Sequence, residues 1–267
     1  MAHSVRDAAA SRAEPGDRMA GPPARLYLTE PARGLVDLAV LPLAAGWLAS
    51  APRGDGHGVL VLPGLLASDM STALMRRYLR WLGYDVHGWQ LGRNIGPTDA
   101  VLETLPRELA DHAGRTGGPV SINGWSLGGI YARELGRDHA ELTRQVITLG
   151  SPFALTDPRQ SRADRTYQRR SYLHATGRVP TAEQVARPIG VPSTAVYSRQ
   201  DGIVSWQTCI EPETALHQNV EVRCAHLGFG VDPAALWLIA DRLAVPASQH
   251  RPFRPQPLLR PLYPGSR

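Results

Sequence analysis

Among the residues able to do covalent chemistry, Ser126 has the most informative neighbours. It sits in Gly124-Trp125-Ser126-Leu127-Gly128, between a short β-branched run (Val120 to Ile122) and a stretch with Leu127, Ile130, Tyr131 and Leu135 at helical spacing. Gly-x-Ser-x-Gly at a strand-to-helix junction is the form of a nucleophile elbow. The serine hydroxyl projects from a tight, strained turn, and the two glycines let strand and helix backbones pass close together. The N–H of Leu127 then points from a helix N-terminus, where a developing oxyanion is stabilised. A serine nucleophile needs a base and an acid to orient the base. Two further sites supply these types in chain order: Asp201 in Ser198-Arg199-Gln200-Asp201-Gly202, and His226 in Cys224-Ala225-His226-Leu227-Gly228. The pattern points to acyl transfer: Ser126 attacks a carbonyl, His226 shuttles the proton, and Asp201 fixes the imidazole tautomer. Asp201 also fits a bare turn, since Asp-Gly favours turns. His57 and His87 are the rival histidines near strand ends, and His57 precedes its strand and so falls at the wrong edge.

These residues must be positioned by the elements around them. Val59 to Leu62 reads as a buried strand ending in Pro63-Gly64, and residues 69–82 as an amphipathic helix. Further strands are expected over 84–91, 120–125, 146–149, 194–197 and 220–224. A helix is expected over 98–113, with a bend at Pro106, and another from Asp232-Pro233 to Leu243, with Asp as N-cap and Pro at the first helical position. The alternation predicts an α/β fold: a mostly parallel sheet of about six strands with helices on both faces. Ligands of such sheets bind beyond the strand C-termini, where Ser126, Asp201 and His226 all fall. Residues 1–24 read as disordered, 25–245 as one domain, and 246–267 as a Pro/Arg-rich extended tail. The apolar stretch 34–50 reads as one or two short helices, or as a segment lying at a lipid interface. Residues 152–190 form a long Arg-rich insertion.

Composition narrows the function. The chain of 267 residues is long enough for one large domain. All 29 Lys/Arg positions are arginine, which excludes Ser–Lys dyads, lysine Schiff bases and a phosphate-binding loop lysine. The net charge of +5 is concentrated in residues 157–187 and 251–267, leaving the remainder net acidic. No zinc-finger spacing or basic–aromatic strand pattern accompanies it, so no nucleic-acid partner is expected. No apolar stretch is long enough to span a bilayer, and the N-terminal residues lack a basic region followed by an apolar core. A cytoplasmic location, with peripheral membrane contact, is the expectation; secretion or a periplasmic location stays open.

Over residues 58–243 the chain resembles the α/β-hydrolase superfamily, in its serine esterase/lipase type. The resemblance rests on the elbow at Ser126 and on the Ser, Asp, His order at successive strand ends. It implies an oxyanion hole made by the backbone N–H groups of Leu65 and Leu127, although Pro63-Gly64 stands where the family often has His-Gly. It places 152–190 where such hydrolases carry a cap, the alternative being a solvated surface excursion; as a cap, its arginines, with Arg165, Arg169 and Arg170 among them, would sit near an anionic substrate or surface, and the mechanism needs no cofactor and no metal. Arg93, Asn94 and Trp125 are candidate substrate-pocket residues, with Asn94 alternatively closing a turn. Cys209 and Cys224 could tie the acid loop to the histidine strand, as one disulfide does near this place in some bacterial lipases; a reducing compartment would keep both as thiols. The expected substrate is a small-molecule or lipid ester with a lipophilic acyl group. An acyltransferase using the same three residues, and a non-catalytic lipid- or partner-binding relative, are the alternatives. Nothing in the sequence sets the oligomeric state.

Overall fold

The computed structural model describes residues 21–177, 179–246 and 249–265. Six parallel strands form one sheet: β1 (Gly58–Leu62), β2 (Asp85–Gly88), β3 (Val120–Trp125), β4 (Thr143–Leu149), β5 (Ser193–Tyr197) and β6 (His217–Glu221), in the spatial order β2-β1-β3-β4-β5-β6. Parallel strands covered on both faces need apolar side chains in both directions, and β1 is buried at every position. Its Val59 and Val61 join the core under α2 (Ala45–Ala49), α3 (Ala73–Leu82) and α8 (Pro233–Leu243). Leu60 and Leu62 point the other way, into the core under α4 (Asp99–Thr116) and α5 (Leu127–Asp138). The helices end where their caps dictate. Thr98 accepts the Val101 N–H at the start of α4, Asp232 accepts the Ala235 N–H at 2.8 Å with Pro233 opening α8, and Gly83 and Gly117 take left-handed conformations after α3 and α4. Helix α4 runs on through Pro106.

Some boundaries differ from the sequence reading, each for a local reason. Strand β2 stops at Gly88 rather than 91 because the Asp69 carboxylate takes the N–H groups of Trp89 and Gln90, both at 3.0 Å. Strand β6 begins at polar His217, pairing Ser193↔His217 through Tyr197↔Glu221; the apolar run at 220–222 marks its end, not its start. Within the expected extended tail, the described residues 249–265 pack against the domain. Phe253 and Tyr263 are buried, the Tyr263 hydroxyl donates to the Ala234 carbonyl at 2.9 Å, and 257–262 is a 3-10 turn. The disorder expected for 1–24 falls largely outside the described residues, but α1 already begins at Ala24 and spans Ala24–Val40.

Helix α1 is inverted relative to the usual pattern. Its buried residue is Glu30, while Leu28, Leu35 and Val36 are exposed. Among the described residues no helix is long and apolar enough to cross a membrane. The insertion folds into short pieces, including α6 (Asp164–Gln168) and α7 (Ala182–Ala186).

Candidate active site

Ser126 caps β3 with φ 54° and ψ −120°, a positive φ that costs a non-glycine residue about 1–3 kcal/mol. The surroundings hold it there. Its N–H donates to the Leu149 carbonyl at 2.8 Å, and its carbonyl accepts from Gly129 N–H at 3.0 Å. A Cβ at Gly124 would lie 2.4 Å from the Gly128 carbonyl oxygen, and one at Gly128 2.4 Å from the Leu62 carbonyl oxygen. The two glycines of the elbow are therefore required by backbone contact.

Asp201 and His226 meet across the ends of β5 and β6. The His226 Nδ1–H donates to Asp201 Oδ2 at 2.6 Å, and both side chains are buried. Asp201 Oδ1 accepts the N–H groups of Ile203 and Val204, each at 2.8 Å, which aims the other oxygen at the imidazole. The proton on Nδ1 leaves Nε2 as the basic nitrogen. Burial opposes a charged imidazole here, but the Asp201 carboxylate, with Glu30 behind it, outweighs burial and raises the pKa of His226 above its ordinary value. The rival histidine His57 is engaged with Asp55 and Ser121.

The loop after β1 lies against Ser126: a Cβ on Gly64 would be 3.2 Å from the Ser126 Cβ. Leu66 has φ 61°, and its N–H donates to the Asn94 carbonyl at 2.7 Å. The N–H groups of Leu65 and Leu127 have no acceptor among the turn and loop hydrogen bonds of the described residues. For Leu127 this follows from its place at the first turn of α5.

The pocket residues proposed from sequence have other positions. Arg93 is exposed. Asn94 is fully buried and braces the loop after β1: its Nδ2 donates to the Pro63 carbonyl at 2.8 Å, and its backbone exchanges hydrogen bonds with Leu66 and Ala67. The Trp125 indole N–H donates to the His226 carbonyl at 3.1 Å, so this side chain carries the histidine loop. The cavity holding Ser126 has a volume of about 880 Å³ and is lined by Leu65, Leu127, Ile130 and Tyr131 on one side and by Phe153, Tyr167 and Val185 of the insertion on the other. Arg165, Arg169 and Arg170 do not line it; Arg137 and Arg187 do. Cys209 and Cys224 are free thiols, not a disulfide. Cys209 packs beside Thr208 and the Ser205 carbonyl, Cys224 lies in the core under α8, and burial raises both thiol pKa values.

The residues missed from sequence are on α1. Glu30 is 1% exposed. Its Oε2 accepts the Gly202 N–H and its Oε1 the Leu227 N–H, both at 3.0 Å. It thus bridges the residue after Asp201 to the residue after His226. Arg33 pairs with Glu30 and donates to the Gln200 carbonyl at 2.6 Å. Asp37 accepts the Ala225 N–H at 2.9 Å. Burial raises the pKa values of Glu30 and Asp37. The only sequence signal was a pair of acids, Glu30 and Asp37, in a helix that also carries Arg25 and Arg33, charges that normally mark a helix's wet face.

The fold can be compared with solved structures. Lipase B of Aspergillus fumigatus superposes with a TM-score of 0.55 at 15% identity, over 74% of this chain and 56% of the lipase, so the chain matches little more than half of that protein. The chain has the α/β-hydrolase fold. A pyrethroid hydrolase from Sphingobium faniae aligns at 19% identity over 72% of this chain and 99% of its own, with a TM-score of 0.47. No protein-family model matches the sequence, and no curated protein matches it.

Proposed function

We propose that this α/β-hydrolase-fold chain is a serine hydrolase that cleaves carboxylic esters through an acyl-serine intermediate. The observation that carries the reading is the buried 2.6 Å His226–Asp201 pair, placed at the same sheet edge as a serine held at positive φ. In this reading Ser126 Oγ attacks the acyl carbon while His226 Nε2 takes its proton. The carbonyl oxygen gains negative charge and accepts from the N–H groups of Leu65 and Leu127. Collapse breaks the bond to the leaving alcohol, which receives the proton from His226. Water repeats the sequence in reverse order and frees the acid. The leucine, isoleucine and aromatic part of the cavity lining next to Ser126 and the exposed leucines of α1 favour a lipophilic acyl group and contact with a lipid surface.

The test is turnover of nitrophenyl esters from short to long acyl chains by wild type and Ser126→Ala. Wild-type turnover that drops by at least about 10³-fold in the variant is the expected result. A maximum at medium or long chains supports the lipophilic reading. Equal rates for the two proteins would overturn the assignment of Ser126. Product analysis with added alcohols separates hydrolysis from acyl transfer, the latter giving a new ester in place of the free acid.

A further inference from the structure

A second group of chemically competent side chains lies away from Ser126. Asp85 and His87 sit two apart on the edge strand β2 and therefore share a face. His112 reaches them from α4. His87 Nε2 lies 3.1 Å and His112 Nε2 3.5 Å from the same carboxylate oxygen, Asp85 Oδ1, and the three ligand atoms fall within 4.8 Å of one another. We propose that Asp85, His87 and His112 form a binding site for a divalent transition metal of the zinc class, which clips β2 to α4.

Three observations support it. First, His112 occupies a core position of α4, one turn after Leu109, and is 1% exposed, yet its Nδ1 has no hydrogen-bond partner among the described residues and its Nε2 only a long contact to the Asp85 carboxylate at 3.5 Å. A buried imidazole so poorly satisfied is costly, and coordination through Nε2 would replace that long contact with a metal bond. Second, the spacing is right. Zinc takes imidazole nitrogen and carboxylate oxygen at about 2.0–2.2 Å in a tetrahedron, whose ligand-to-ligand edges are then about 3.3–3.5 Å. Two of the three edges already have nearly this length. Third, space has been left for the donor: a Cβ at Gly58 would come within 2.8 Å of His112 Nε2. The half-exposed Asp85 and His87 open onto a shallow cavity lined by Arg76, Arg80 and Tyr84, which leaves the fourth position to water.

The charges facing the site make the proposal specific. Arg115 donates to His87 Nδ1 at 3.3 Å, which places the imidazole proton on Nε2. Coordination through Nε2 moves that proton to Nδ1 and displaces Arg115. Arg115→Gln should therefore tighten binding. The site does not depend on the esterase reading, because β2 meets it on the strand while the reacting groups lie past the strand ends.

The experiment uses the full chain, stripped with chelator and dialysed. Zn²⁺ uptake is followed by calorimetry, and Co²⁺ uptake by its visible absorption. The expected result is one equivalent bound, a tetrahedral Co²⁺ spectrum and a melting temperature raised by about 5 °C or more at saturating metal. His87→Ala and Asp85→Asn, both at half-exposed positions that should fold, are expected to lower affinity at least 10-fold, the loss expected when a ligand is removed, and Arg115→Gln to raise it. No stoichiometric uptake by wild type would overturn the proposal, as would undiminished uptake by both His87→Ala and Asp85→Asn, which would place the metal elsewhere. Ester turnover by His87→Ala should match wild type whether or not metal binds.

Discussion

Replacing Glu30 with Gln tests whether α1 positions the acid and histidine loops. The carboxylate accepts two backbone N–H groups, from Gly202 and Leu227, both at 3.0 Å. Glutamine keeps one acceptor and turns its amide N–H₂ toward the other N–H, so one charge-assisted bond is lost and two donors face each other. Losing a hydrogen bond at a buried group costs about 1–3 kcal/mol. Much of that cost can be relieved by a shift of the Gly202 or Leu227 backbone, which moves Asp201 or His226 with it. A misplacement on the order of 1 Å is worth about 10²-fold in rate. Nitrophenyl ester kinetics should therefore give kcat reduced by about 10- to 100-fold with KM little changed, because Glu30 does not line the cavity at Ser126. The pH profile supplies a reading that loose packing alone would not give. Glu30 is one of the carboxylates that raise the His226 pKa. His226 must be neutral to act as base, so activity falls as pH drops through its raised pKa. Removing the Glu30 charge lowers that pKa, and the acid limb of kcat/KM should move to lower pH. A folded Glu30→Gln variant with kcat within threefold of wild type and an unmoved acid limb would refute the reasoning.

Other perturbations follow from the same geometry. Asp232 caps α8 while buried, and burial, with Asp37 adding to it, raises its pKa to about 6. The folded state holds this proton to higher pH than the unfolded chain, so stability should fall as pH rises from about 4 to about 6. The shift of about two units amounts to about 3 kcal/mol. Asp232→Asn, an equally good cap, should remove that slope in urea titrations and raise stability above pH 6. Arg133 and Glu211 form a fully buried pair at 2.9 Å, with the guanidinium over the Phe153 ring and bonded to the Arg187 carbonyl. Arg133→Ala should cost about 3–5 kcal/mol in chemical denaturation by stranding Glu211, whereas a change below 1 kcal/mol would mean the pair is solvated. Asn94→Ala should lower kcat on short and long nitrophenyl esters alike, since Asn94 braces the loop carrying Leu65; an effect confined to one chain length would return Asn94 to the substrate pocket.

The fold was readable because its signals are local. The doubly buried runs at 59–62 and 120–125, the glycines around Ser126, and the Asp232-Pro233 cap each announce an element within a few residues. The placing of Asp201 beside His226 was legible for a similar reason: each follows a strand, and parallel strands bring such ends to one edge. What escaped was set by distant partners. Asp69 ends β2 from twenty residues upstream. Proline content hides the docking of Phe253 and Tyr263, whose value lies in contacts with α8 and its surroundings. Asn94 and Trp125 both adjoin the site, but their side chains brace backbone carbonyls, and no pattern in their own neighbourhood tells bracing from lining. Glu30 is the extreme case, a charged residue whose burial depends on two N–H groups more than 170 positions away.

That separation gives α1 a significance beyond geometry. The sheet from β1 to β6 closes without α1, whereas the two loops bearing Asp201 and His226 are joined through a helix made at the opposite end of the chain. Closing so long a loop adds an entropic cost that grows only slowly with its length, and the bridge from Glu30 is added to an Asp201–His226 pair that β5–β6 pairing already brings together. A chain cut between α1 and β1 would therefore keep the residues of the sheet and the elbow yet lose the carboxylate that joins the Asp201 and His226 loops.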